Sequence, residues 1–211
     1  MSFDKKEFIK FALENDVVVF CEDPVELSSG ILSHLYIDWE KVTADVFLTR
    51  EQLIPFIFQF IKDHKLNPSN FYGVPEGATK LGFAAQYGLA ARSRDYRKGS
   101  HVLAMGRGNP KEHGMKKDRY FLGKPTKDTI ILEDVVTTGK SLSDVIEEVQ
   151  NPETSVIAAI SLTDRSGMRK FEVPYHTLSN VRDLFREGCK ILNPSQRIIQ
   201  SIEEEFQTLG Y

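Results

Sequence analysis

Residues 129–141 read TIILEDVVTTGKS, and the order of residue types within them sets the fold class. Ile130, Ile131 and Leu132 form a short apolar run, read as a buried strand that ends in two adjacent acids, Glu133 and Asp134. A loop of hydroxyls and glycine follows. Leu142, Val145, Ile146 and Val149 then recur at the i, i+3, i+4, i+7 spacing of an amphipathic helix. Acids, loop and helix start thus meet at the carboxyl end of a strand, where open α/β sheets bind ligands. Backbone N–H groups and hydroxyls of Thr137, Thr138, Gly139, Lys140 and Ser141 can surround a phosphate at that helix N-terminus. Two carboxylates facing the same phosphate would repel it, so the acids suit sugar hydroxyls beside it. The pattern predicts one site for a phosphate plus a diol, as in a ribose 5-phosphate. The TTGKS end also looks like a Walker loop, but that motif needs a glycine where this chain has Asp134. A side chain there would block the close backbone approach to a nucleotide triphosphate, so the Walker reading is rejected.

The 211 residues suit one α/β domain with a modest extension, and 41% hydrophobic with 27% charged residues is a globular composition. No apolar run approaches membrane-spanning length, and MSFDKKEFIKF does not read as a signal peptide. Cys21 and Cys189 lack metal-ligand spacing and are expected to be reduced thiols in a cytoplasmic protein. The net charge of −3 is uneven: residues 92–119 hold nine Lys/Arg against three Asp/Glu, or +6, leaving −9 elsewhere. A local basic tract in an acidic chain suits a small phosphorylated ligand. Nucleic acid would call for a broader basic face and a binding motif.

Outward from the acid pair, the pattern predicts a helix over 4–14, short strands over 17–20 and 35–39, and a turn at SSG (28–30). Thr49 with Gln52 reads as a capping box opening a helix through Phe56, Phe60 and Ile61. Strands are expected over 71–74, 102–105 and 155–162, with a helix after GVPEGATKLG to about residue 87. The polar stretch 106–127 is too long for an ordinary connection and reads as functional. A last helix begins near Asn193-Pro194, with Ile198, Ile199, Ile202, Phe206 and Leu209 on one face. Alternating strands and helices predict a mostly parallel sheet flanked by helices.

Within the long stretch, RGNPKEHG (107–114) places Arg107, Lys111 and His113 in a glycine-flanked loop. Three cation-capable donors there could close over a departing pyrophosphate; a solvated basic loop is the plainer reading.

Apolar strand, two acids, two residues and T-T-G-K-S together resemble the phosphoribosyl-diphosphate (PRPP) motif of type I phosphoribosyltransferases. The R-G-N-P-K-E-H-G loop is similar to the R-K-x-x-K-D-H-G lid of the orotate phosphoribosyltransferases within that family. SSG with Ser33 looks like their K-S-G-x-x-S segment, and Asp164-Arg165 like their D-R. The resemblance implies the type I fold as a single domain over 1–211, with an N-terminal hood (about 1–45), a core (about 46–190) and a C-terminal helix (about 194–210). It implies transfer of phosphoribosyl from PRPP to orotate, giving orotidine 5′-monophosphate and pyrophosphate in pyrimidine synthesis. Another nucleobase, or a non-catalytic PRPP-binding regulator, are the alternatives.

Carried over by residue, the resemblance assigns Glu133 and Asp134 to the ribose hydroxyls. Val135, Val136 and Thr137 to Ser141 would hold the remainder of the phosphoribosyl group, with Asp134 also counted as catalytic. Thr137, Arg165, Tyr36 and Ile37 would meet the base, Arg165 through the orotate carboxylate. Arg107, Lys111 and His113 would cover pyrophosphate in a partner subunit's site, since the family is homodimeric. Mg²⁺ would arrive on PRPP, with no dedicated protein ligands; no nucleic acid or membrane partner is implied. Three basic residues of the family pattern are missing, at Ser28, Gly77 and Gly108. Lys80, Arg92, Arg94, Lys98, Lys116 and Lys117 are the cations available to compensate, and the 92–100 insertion has no counterpart in the family.

Overall fold

The computed structural model describes residues 2–27, 29–106, 121–167 and 169–210. The central sheet has four parallel strands in the order β3-β6-β7-β8: β3 (Asn70–Gly73), β6 (Lys127–Val136), β7 (Thr154–Asp164) and β8 (Tyr175–Asn180). Ahead of it come helix α1 (Lys5–Glu14), the antiparallel hairpin β1 (Val18–Glu26) and β2 (Leu32–Ile37), and the short helix α2 (Glu40–Thr43). A π-helical segment (Leu48–Leu53) runs into α3 (Ile54–Asp63); α4 (Thr79–Arg92) follows β3. A two-residue ribbon, β4 (Met105–Gly106) with β5 (Phe121–Leu122), leads back to the sheet. Helix α5 (Lys140–Val149) links β6 to β7, while α6 (Val181–Leu192) and α7 (Gln196–Leu209) close the chain.

The buried strands explain the sheet. Ile130, Ile131, Leu132, Ala158, Ala159 and Ile160 are all at or near zero exposure, as parallel strands covered on both faces must be. α1 begins where Asp4 accepts hydrogen bonds from the N–H groups of Lys6 and Glu7. It sends Phe8, Phe11 and Ala12 into the main core with Trp39, Ile57 and Phe71. α7 buries Ile198, Ile202 and Phe206 and rests on the hairpin.

Three expectations are corrected, and two elements had none. β6 runs two residues past the acid pair expected to end it: Glu133 pairs with Ser161, and the ladder continues to Val136 with Asp164. Residues 102–105 add no strand to the parallel sheet. The Val102 carbonyl accepts from Gln86 Nε2 (2.7 Å), and the ladder starts only at Met105, in the antiparallel ribbon. Thr49 is no helix cap, because its hydroxyl donates to the Val42 carbonyl (2.9 Å) from within the π-helical segment. Pro55 then falls at the start of α3, where a missing N–H costs little. β8 and α6, to which no element was assigned from sequence, complete the sheet edge and its cover.

Candidate active site

The carboxyl ends of β3, β6 and β7 open toward hairpin strand β2, and the chain's chemically distinctive groups collect there. Glu133 is 7% exposed. Burial, then the charge of Asp134 and a hydrogen bond with it, hold the Glu133 carboxyl well above the usual carboxylate range. The Asp134 N–H donates to Glu133 Oε1 (3.2 Å), and the Val135 N–H donates to Asp134 Oδ1 (2.8 Å). Val136 packs into the core beneath α5, and Val135 is partly buried against the main core. These two residues therefore offer a ligand their backbone.

Past Val136 the chain turns through Thr137 and Thr138 to Gly139, whose φ of +73° suits a residue without Cβ, and enters α5. Thr138, Lys140 and Ser141 are exposed, and the Lys140 N–H reaches only weakly to Thr138 Oγ1 (3.4 Å). Gly139 gives α5 no side-chain cap, so the first amides of the helix can take an anion. The loop between β3 and α4 forms the facing wall. A Cβ on Gly77 would stand 2.8 Å from Asp134 Oδ2, so the Asp134 carboxylate lies directly against that loop. A longer side chain at 77 would have to displace it, which accounts for a glycine where the family pattern has a lysine.

From the hairpin, Tyr36 is 40% exposed. Its hydroxyl is pushed up by partial burial and then by the carboxylates of Asp38, Asp134 and Glu40, which places it in the field of the acid pair. Ile37, one residue on, faces the opposite way into the main core, as strand alternation requires. Trp39 Nε1 donates to Thr163 Oγ1 (2.9 Å), tying the hairpin's exit to β7.

Arg165 is not presented to open space. It is 2% exposed, and its guanidinium donates to the Leu35 carbonyl (2.8 Å), Ser33 Oγ (2.6 Å) and Glu205 Oε1 (2.6 Å). Lys80, a candidate substitute cation, forms an exposed pair with Glu40 (2.8 Å). Arg107, Gly108, Lys111, His113, Lys116, Lys117 and Ser28 lie outside the described residues.

Sequence reading missed the segment after β7. Ser166 donates through its N–H and hydroxyl to Asp164 (2.8 and 2.6 Å), and the Arg169 N–H donates to Ser166 Oγ (3.2 Å), which folds the chain back. Arg169 Cδ and the Phe171 ring consequently lie 2.9 and 2.8 Å from where a Gly139 Cβ would be. An exposed arginine therefore covers the turn that opens α5. The composition of RSGMRKF held a cation-rich turn, but nothing local in it pointed to a loop some thirty residues earlier.

Among the described residues, no group of three or more His, Cys, Asp or Glu could hold a metal ion, and no helix is long and apolar enough to cross a membrane. No family model matches the chain. The orotate phosphoribosyltransferase of Carboxydothermus hydrogenoformans is 28% identical over 201 residues, covering 90% of this chain and 97% of that protein. The crystal structure of the Francisella tularensis orotate phosphoribosyltransferase covers 96% of this chain and 98% of its own, with a TM-score of 0.65 at 18% identity. The Mycobacterium tuberculosis enzyme, solved in complex with PRPP, has a TM-score of 0.57 at 18% identity over 85% of this chain and 98% of its own. The chain is thus similar over nearly its full length to orotate phosphoribosyltransferases, and it has the type I phosphoribosyltransferase fold.

Proposed function

We propose that this protein transfers the phosphoribosyl group of PRPP to N1 of orotate, releasing pyrophosphate and forming orotidine 5′-monophosphate. The observation that carries the reading is the meeting, at one sheet end, of the buried Glu133 with its half-buried neighbour Asp134, a helix N-terminus with no side-chain cap and the hairpin strand bearing Tyr36. The near full-length relative, an orotate phosphoribosyltransferase, supports it.

In this reading the 5-phosphate sits on the amides and hydroxyls of Thr137 to Ser141, and Glu133 with Asp134 receives the ribose hydroxyls. The base lies beside Tyr36 and Thr137, with Arg165 facing its carboxylate. Arg107, Lys111 and His113 neutralise the pyrophosphate as the glycosidic bond breaks, and the site excludes water from a ribosyl cation. No protein nucleophile is required. Mg²⁺ carried on PRPP would supply charge stabilisation at the diphosphate, and the carboxylate oxygens of Glu133 and Asp134 would be compatible with a cation held there.

The protein works as a cytoplasmic homodimer that shares its lid loops. Exposed Val46, Tyr87 and Tyr96 around a groove of about 930 Å³ between α3 and α4 support an apolar self-association surface. Another nucleobase is the second reading, favoured by the Arg165–Glu205 pair, which leaves the base site's arginine already neutralised.

The test is orotate consumption by ultraviolet absorbance with PRPP and Mg²⁺, next to uracil, hypoxanthine and guanine. Turnover of orotate alone supports the reading. Turnover of a different base defeats it and leaves the fold assignment intact.

Arg169→Ala is expected to raise the KM for PRPP by roughly five- to tenfold. This is the lower end for a charge-assisted hydrogen bond, since the side chain is exposed and screened. The effect should shrink with added salt. An unchanged KM at low ionic strength would mean that Arg169 only covers the Gly139 turn.

A further inference from the structure

We propose that Glu205 is a specificity-determining residue whose carboxylate occupies Arg165 in the unliganded protein and yields it to the carboxylate of the base. The inference rests on orotate being that base. The Arg165 N–H donates to the Val136 carbonyl (2.7 Å), which anchors the residue beside the strand end that carries the acid pair. Its guanidinium reaches under β2 to Leu35, the neighbour of Tyr36. The arginine therefore stands at the junction of ribose and base, although α7 supplies its counter-charge.

That counter-charge is incomplete in geometry. Glu205 Oε1 engages Nη2 alone, while its Oε2 accepts from the Ser33 hydroxyl (2.6 Å). Among the described residues, the buried Arg165 Nε has no acceptor, a rare condition for a polar atom in a folded protein. A carboxylate approaching the Nε–Nη2 edge would take both donors in the bidentate manner that arginine favours. The Glu205 side chain keeps 11% exposure on the last turns of α7, the side from which it can be drawn off Arg165 toward solvent. Both protons of Nη2 are already given to Ser33 Oγ and Glu205 Oε1, so the substrate and Glu205 compete for that nitrogen.

Removing the Glu205 charge leaves a buried guanidinium without a counter-ion, and an incoming anion then becomes its best partner. Glu205→Gln is expected to lower the KM for orotate by roughly tenfold, with kcat little changed, and to enlarge the thermal shift produced by orotate. The inhibition constant of uracil, which lacks the carboxylate, and the KM for PRPP should stay as in the unaltered protein. If Glu205→Gln does not fold, Glu205→Asp, whose shorter carboxylate cannot span to both partners, should move orotate in the same direction. An orotate KM that is unchanged or raised in a folded variant overturns the inference while orotate turnover itself stands. Orotate that is inert with the unaltered protein and the variants alike overturns the functional reading and this inference with it.

Discussion

Glu133→Gln is expected to raise the thermal midpoint and at the same time weaken PRPP binding by ~10–150-fold. The two effects share one cause. Burial and the adjacent Asp134 charge raise the folded-state pKa of Glu133 above its ordinary value of 4.5. A group raised in this way stabilises the fold below its unfolded-state pKa, and that contribution is lost as pH rises through the folded value. At neutral pH and above, the buried carboxylate is a cost to the fold, and a neutral amide of the same shape removes it. The same amide cannot accept two sugar hydroxyls with the strength of an anion. A hydrogen bond to a charged group is worth ~1.5–3 kcal/mol, which sets the range of lost affinity.

The raised pKa also gives PRPP binding by the unaltered protein a direction with pH. Affinity should rise as Glu133 loses its proton, and binding should release that proton to buffer. Calorimetry at a series of pH values upward from the ordinary carboxylate range, in buffers of different ionisation heat, reads both quantities. Glu133→Gln should abolish this proton release. PRPP affinity equal to that of the unaltered protein, or a lowered thermal midpoint, would show that Glu133 is not the diol acceptor.

The fold was legible where one residue pattern implied one environment. The apolar run of β6 and the i, i+3, i+4, i+7 face of α5 each bury a continuous surface, and both stand as read. The strand's last two residues were not read: past the acid pair, Val135 and Val136 continue the pairing with β7, because that register is set by the neighbouring strand. β8 reads YHTLSN, with little apolar content, and its place as the fourth strand is fixed by pairing with β7 rather than by its own sequence. α6 carried the better signal. Val181, Leu184, Phe185 and Gly188 are buried at helical spacing behind an Asn180 cap, and that periodicity was open to sequence reading.

The candidate site divides along the same line. Residues contiguous with the acid pair could be named from sequence, since a turn and a helix start bring them together locally. Arg169 could not, because it meets Gly139 only through the fold-back after β7. Nor could the state of Arg165: its partner Glu205 lies forty residues on, in a helix whose apolar face was the evident feature. Sequence motifs name a residue's chemistry; only packing shows whether that chemistry is already spent.

Lys111→Ala is expected to lower turnover by ~10²–10³ while PRPP affinity changes by no more than about threefold. Lys111 lies outside the described residues, so the expectation rests on the R-G-N-P-K-E-H-G segment and the charge balance of the reaction. The departing diphosphate gains charge only as the bond to the ribose breaks. A cation placed to meet that charge contributes more in the transition state than in the bound ground state, and its loss falls on kcat rather than on binding. With Gly108 in place of the family's second basic residue, fewer neighbours share the load, which favours the larger end of the range. Steady-state rates beside PRPP binding by calorimetry separate the cases. Parallel losses in both would make Lys111 a ground-state phosphate contact. An unaltered function in cells, with no turnover to lose, would turn the acid pair and its loop into the ligand site of a PRPP sensor.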